Sequence, residues 1–192
     1  MVPDWYYRKC AIDPELLLAI QSELVPAMEQ LVPGYTEIRG QFARSSVSVI
    51  KEISPSTTKF IESIGLLDRW TDVSIITANN NHPFRWPIHV DDSTYSRCIA
   101  LNIPILNCEN SYTAWYESNE PIKRSADPKS LTTEQAYSLY YADDKSKEVM
   151  RMDANQCAFI NVALPHRPVV EHTKPRVLIS TRFSPELFDY FN

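Results

Sequence analysis

The sequence predicts one mostly β domain with flanking helices, its strands arranged as a sandwich or barrel. Three observations carry this. From residue 71 onward, short apolar and β-branched runs alternate with turns rich in Asn, Asp and Pro, a texture unlike that of βαβ units. Residues 13–34 and 54–70 instead carry apolar side chains at helical spacing. The length of 192 residues and the hydrophobic fraction of 44% suit a single domain with a sizeable core. The expected plan is a helical N-terminal wrap over 1–70, a β-core over 71–183 interrupted by an insertion at 117–147, and a short tail at 184–192.

Residues 1–12 read as an extended arm anchored by Trp5, Tyr6 and Tyr7. Asp13-Pro14-Glu15 then signals a helix start, with Asp as N-cap, Pro in the first turn and an acidic residue behind it. Leu16, Leu17, Ile20, Leu24, Met28 and Leu31 form its apolar stripe, Pro26 is placed to kink or divide it, and Pro33-Gly34 ends it. The alternation Ser46-Val47-Ser48-Val49-Ile50 predicts a strand. Ser54-Pro55-Ser56 opens a second helix running to about Trp70, with Phe60, Ile61, Ile64 and Leu67 inward.

The β region follows. Strands are expected at 72–77, 85–91, 96–106, 113–116, 148–152, 157–162, 164–170 and 176–183, with turns at 79–83 and 171–175. The insertion is polar and contains Pro121 and Pro128, with a short helix expected at Leu131–Leu139; an insertion of this length suits a lid, the favoured reading, or a disordered flap. Trp86, Trp115 and Tyr116 read as core aromatics, while Tyr137, Tyr140 and Tyr141 suit either a pocket lining or an apolar cover.

Composition excludes several function classes. A net charge of −5 without a Lys/Arg run argues against nucleic acid as a partner. No apolar run approaches the roughly 20 residues needed to cross a bilayer. Met1–Trp5 shows neither a basic nor an apolar leader, so a cytoplasmic location is expected. The four cysteines, Cys10, Cys98, Cys108 and Cys157, are scattered without a C-x-x-C and read as reduced, buried thiols. Three glycines in the whole chain leave no phosphate loop and no dinucleotide fingerprint.

The informative stretch is Pro87-Ile88-His89-Val90-Asp91-Asp92. Residues i and i+2 of a strand share a face, so His89 and Asp91 converge on one volume. A further histidine would complete a two-histidine, one-carboxylate face for Fe(II). His82 falls in the Asn-rich turn, leaving His166 and His172. Arg176 follows His166 by ten residues and Arg182 follows His172 by ten, so spacing does not separate the two. Context does. Leu164-Pro165-His166 is flanked by strand residues, whereas His172 sits at a hairpin tip, and a metal ligand must be held rigidly. His166 with Arg176 is the chosen pair. Asp92 is a candidate to orient a ligand, with a solvated or turn-capping role the favoured reading.

These residues, His89-Val90-Asp91 and Leu164-Pro165-His166 followed by Lys174-Pro175-Arg176-Val177-Leu178-Ile179-Ser180, resemble the Fe(II)- and 2-oxoglutarate-dependent oxygenase superfamily. The likeness covers roughly residues 75–183. It implies a double-stranded β-helix (jelly-roll, cupin-like) core. It also implies His89, Asp91 and His166 as catalytic metal ligands, and Arg176 as the partner of the distal carboxylate of 2-oxoglutarate. An arginine suits a buried dianion because its planar fork grips a carboxylate and stays charged. Leu178 stands where some branches carry the serine of an R-x-S motif, and Ser180 is the substitute the likeness offers. Arg97–Ile105 is similar to the arginine-bearing strand of the aspartyl/asparaginyl β-hydroxylase-like branch, which implies that Arg97 helps bind the co-substrate.

The activity so implied is oxidation of a small molecule or peptide side chain by O2, with conversion of 2-oxoglutarate to succinate and CO2. A metal- or ligand-binding cupin-like domain without oxygenase activity is the alternative, and Arg176 discriminates: such a domain has no use for a cation at that offset.

Overall fold

The computed structural model describes residues 4–36, 40–79, 86–91, 99–118, 121, 123–126, 137–184 and 187–191. The chain begins with strand β1 (Tyr7–Lys9), followed by helix α1 (Pro14–Leu24), a 3-10 turn at Val25–Ala27 and the single helical turn α2 (Met28–Leu31). Asp13 caps α1 by accepting from the backbone N–H groups of Glu15 and Leu16, and Pro26 lies in the 3-10 turn that divides the helical stretch.

Strand β2 (Gly40–Ser45) precedes helix α3 (Val47–Ile53). The strand expected at 46–50 is therefore a helix. Its alternating Ser/Val pattern is overridden by capping, since Ser46 accepts from the Val49 N–H, and the helix buries only Ile50 while Val49 stays exposed. Helix α4 (Pro55–Ser63) is capped by Ser54 and ends seven residues short of Trp70. Gly65, at φ +73°, allows the chain to close the helix: Leu66 N–H donates to Ile61 O and Gly65 N–H to Glu62 O.

Strands β3 (Trp70–Ala78), β4 (Ile88–Val90), β5 (Ile99–Leu106), β6 (Ser111–Glu117), β7 (Lys123–Ala126), β8 (Tyr137–Tyr141), β9 (Lys147–Asp153), β10 (Ala158–Asn161), β11 (His166–Val170) and β12 (Arg176–Phe183) complete the fold. Tyr137–Leu139, expected at the end of a helix, belong to β8, while residues 131–136 lie outside the described residues.

Among the described residues all pairings are antiparallel and form two six-stranded sheets, β1-β10-β5-β12-β3-β2 and β7-β8-β4-β11-β6-β9, the jelly-roll arrangement. Both outer strands of the first sheet come from the N-terminal third, which thus supplies strands as well as helices. The insertion at 117–147 contributes β7 and β8, an edge hairpin beside β4.

Alternation along the strands divides the buried side chains. Val73 and Ile75 of β3, Leu101, Ile103 and Ile105 of β5, and Val177 and Ile179 of β12 pack with Ile20, Leu24, Met28, Phe60 and Ile61 of the helices. The helices thus cover the first sheet's outer face, each fully buried large side chain contributing about 1.5–3 kcal/mol. The opposite register of β12, carrying Arg176, Leu178 and Ser180, lines a cavity with residues of the second sheet. Among the described residues, no helix is long and apolar enough to cross a membrane.

Candidate metal centre and anion pocket

Strand pairing assembles the site. His89 of β4 and His166 of β11 are direct partners across an antiparallel pair, and their ring centroids lie 4.7 Å apart. Asp91, two residues beyond His89, is held by its backbone N–H, which donates to Val162 O at 3.0 Å. His89 Nε2 lies 3.1 Å and His166 Nε2 3.8 Å from Asp91 Oδ1. One ligand atom from each residue falls within 4.8 Å of the others.

The same device orients both imidazoles. His89 Nδ1 lies 2.9 Å from Pro87 O, and His166 Nδ1 lies 2.9 Å from Leu164 O. A carbonyl only accepts, so each Nδ1 carries the hydrogen and donates it to the carbonyl two residues back. Each ring, when neutral, therefore presents the lone pair of Nε2 to the cavity, and a protonated His89 donates its Nε2–H to Asp91 Oδ1 at 3.1 Å.

Electrostatics favour a cation there. Burial alone would raise the pKa of Asp91, but the His89 hydrogen bond and the charges of His166, Arg182 and His89 hold it below the usual carboxylate range. Burial and the His89 charge push His166 down to about 4, so it is neutral near pH 7. Burial works against a charged His89 too, yet the hydrogen bond and charge of Asp91 raise its pKa. The cluster thus holds one anion, one neutral imidazole and one imidazole that gains a proton readily, and a divalent cation can take that proton's place.

Arg176 is the second feature. It is 1% exposed, and Nε, Nη1 and Nη2 all lack a hydrogen-bond partner among the described residues. Its guanidinium lines the same cavity as His89, Asp91 and His166, together with Asn102, Ser180, Thr113 and Trp86. Asn102 and Ser180 are register partners across β5 and β12. Cys108 offers Arg176 no counter-charge. Burial pushes its thiol pKa up, and the thiol donates to Val177 O at 3.1 Å. A buried, unpaired guanidinium is costly, and the arrangement is complete only with an anion.

Of the other expected site residues, Ser180 lines the cavity, with its Oγ accepting from Arg182 Nη1 at 2.9 Å. Arg97, Asp92 and His82 lie outside the described residues. His172 is away from the site, its Nε2 2.9 Å from Asn107 O, which buttresses a turn where Asn107 has φ 49°. Trp115 is a core residue, fully buried with Nε1 donating to Asn161 O. Tyr116 belongs to a separate apolar cluster with Ile88 and Ala114. Trp86 instead faces the cavity, 6.4 Å from the His89 ring, and Tyr140 approaches the same ring at 6.3 Å.

The sequence offers Arg182 only as the residue ten beyond His172. It in fact donates through Nη2 to Asp91 Oδ2 at 2.6 Å. Its six-residue offset from Arg176 places both on one face of β12, and this period-two signal was present in the sequence.

No family model and no curated protein matches the chain. Solved structures do. HygX from Streptomyces hygroscopicus, with nickel and 2-oxoglutarate bound, is similar at a TM-score of 0.54 and 10% identity, over 95% of this chain and 82% of that one. The non-heme alpha ketoglutarate dependent carbocyclase SnoK from nogalamycin biosynthesis gives 0.49 and 11%, over 95% and 83%. E. coli ycfD gives 0.43 and 12%, over 79% of this chain, which spans only 36% of ycfD. At such identities the likeness to HygX establishes the fold.

Proposed function

We propose that this chain is a non-haem Fe(II)- and 2-oxoglutarate-dependent oxygenase acting on a small molecule or a peptide side chain. The observation that carries the reading is one cavity holding His89, Asp91 and His166 together with a fully buried Arg176 that has no hydrogen-bond partner among the described residues. A metal-binding jelly roll alone accounts for the first and leaves the second unexplained. The ligands named in the HygX description, nickel and 2-oxoglutarate, are of the two kinds this cavity suits.

His89 Nε2, Asp91 Oδ1 and His166 Nε2 would hold the metal, a donor set that suits Fe(II) and leaves coordination positions open. With Fe(II) and 2-oxoglutarate bound, the centre couples oxidative decarboxylation of the co-substrate to oxidation of a second substrate by O2. The chain's own residues bind and orient. Arg176 supplies a fixed cation for a carboxylate, and Ser180, whose oxygen already accepts from Arg182, keeps its hydroxyl hydrogen to donate. Trp86 stands beside His89 on the metal side of the cavity, its ring stacked at 6.4 Å from the imidazole. The aspartyl/asparaginyl β-hydroxylase-like branch enters this reading only through Arg97, outside the described residues.

Anaerobic titration with Fe(II) and 2-oxoglutarate tests the proposal. The expected result is a weak visible charge-transfer band that His166→Ala abolishes. Absence of the band, with binding of neither ligand, would overturn it.

A further inference from the structure

The N-terminal arm carries a chemistry-bearing pair that the oxygenase reading does not use. β1 pairs with β10 in the register Tyr7↔Ile160, Arg8↔Phe159, Lys9↔Ala158. One step further, Cys10 faces Cys157, and Cys10 N–H donates to Cys157 O at 2.9 Å. Directly opposed residues of this hydrogen-bonded type have Cα atoms about 5.5 Å apart, within the span a disulfide bridges. Cys10 is half-buried and Cys157 buried, both as free thiols.

We propose that Cys10 and Cys157 form a redox-modifiable pair that a low-molecular-weight disulfide, such as oxidised glutathione, closes into a disulfide, latching the arm onto β10. The two sulfurs are suited to different roles. The hydrogen bond from Cys157 lowers the pKa of the half-buried Cys10 thiol, whereas the same hydrogen bond and burial raise that of Cys157. Cys10 thiolate attacks the reagent, whose S–S bond breaks as a mixed disulfide forms and one thiolate leaves. That thiolate takes the proton of Cys157, whose sulfur then attacks Cys10 Sγ and expels the second thiolate, which water protonates. Two protein thiols are oxidised and one reagent disulfide is reduced to two thiols.

The latch has a route to the candidate metal site. Asn161 N–H donates to Tyr6 O at 2.8 Å, and Asn161 Nδ2 donates to Trp5 O at 3.0 Å. Asn161 Oδ1 in turn accepts from Ala163 N–H, Val162 O accepts from Asp91 N–H, and Leu164 O accepts from His166 Nδ1. The arm thus braces the segment that holds two of the three candidate ligands. Arg8 and Trp5 also contact Phe191, Arg8 Nη1 donating to its carbonyl at 3.2 Å and the Trp5 and Phe191 rings meeting edge-on at 5.1 Å.

The test is to incubate the purified full chain with oxidised glutathione and count thiols after denaturation. The expected count falls from four to two, with the Cys10 and Cys157 peptides linked and dithiothreitol restoring all four. Closing so long a loop should raise Tm by roughly 5–15 °C. It should also slow amide exchange at 161–166. A Cys98→Ser/Cys108→Ser variant should still lose two thiols, and Cys10→Ser should lose none. Four persisting thiols, a linkage through Cys98 or Cys108, or a mixed disulfide stalled on Cys10 would each overturn the proposal. Thiol counting and peptide mapping on the wild-type chain decide the matter even if a variant fails to fold.

Discussion

Replacing Arg176 with Met separates a ligand-binding arginine from a structural one, because the two roles predict opposite signs. The guanidinium is 1% exposed and has no acceptor among the described residues, while Ile76, Ile160 and Leu178 line the cavity beside it. Holding such a cation in an apolar setting costs several kcal/mol even after relaxation, and apolar replacements of buried charges have stabilised other proteins by about 1–4 kcal/mol. Arg176→Met, similar in length and uncharged, should therefore stabilise the ligand-free protein by about 1–4 kcal/mol, at roughly 2–4 °C in Tm for each kcal/mol. Removing one member of a buried, hydrogen-bonded charge pair costs about 2–5 kcal/mol of binding, so 2-oxoglutarate affinity should fall roughly 30-fold to several thousand-fold. Fe(II) affinity should hardly move. Urea unfolding of the ligand-free variant and anaerobic calorimetry with each ligand give the three numbers. A destabilised variant that binds 2-oxoglutarate like the wild type would refute the reasoning, since the guanidinium would then be satisfied by the protein itself.

Other expectations follow from the same geometry. Arg182→Ala removes the 2.6 Å bond to Asp91 Oδ2 and should weaken Fe(II) or Co(II) binding about tenfold to a hundredfold; unchanged metal affinity would show that Asp91 holds its orientation without it. The pKa of His166, about 4 against the ordinary 6.5, means that the folded state binds fewer protons than the unfolded state between those values. Its stability contribution is therefore present above pH 6.5 and lost as pH falls towards 4, by about 3 kcal/mol at most. His89, raised by Asp91, contributes in the opposite sense: its stabilisation is fully present below the ordinary value and lost as pH rises through its folded pKa. Urea unfolding of the metal-free protein at pH 7 and pH 4.5 should show a smaller acid-side loss for His166→Asn than for wild type, and identical losses would contradict the burial of a neutral ring. Ser54→Ala should cost about 1–2 kcal/mol, because the hydroxyl caps α4 and donates to Glu23 Oε2 at 2.7 Å; a change under a few tenths in chemical denaturation would assign the capping elsewhere.

Much of this protein was legible in the sequence because its signals are local. Asp13-Pro14 started α1, Pro26 divided the helical stretch, and the strand expectations at 72–77, 113–116 and 176–183 all fell within observed strands. His89 and Asp91 on one face follow from the period of a strand, and the position of His166 follows from its flanking residues. Where local signals competed, periodicity misled. Ser46-Val47-Ser48-Val49-Ile50 alternates as a strand should, but a serine cap made it a helix, and the strand was formed by Gly40–Ser45 just before it.

What the sequence determined by itself is the mostly β class, the H-x-D doublet and the residue types available to the cavity. Only the tertiary structure decided that His89 and His166 are cross-strand partners, that the backbone carbonyls of Pro87 and Leu164 set both imidazole tautomers, and that Arg182 grips Asp91 while Arg176 faces the cavity with no partner among the described residues. The reason is physical. Strand periodicity fixes which face a side chain takes, but its neighbour on that face comes from another strand, and register between strands far apart in sequence is set by packing of the whole sheet.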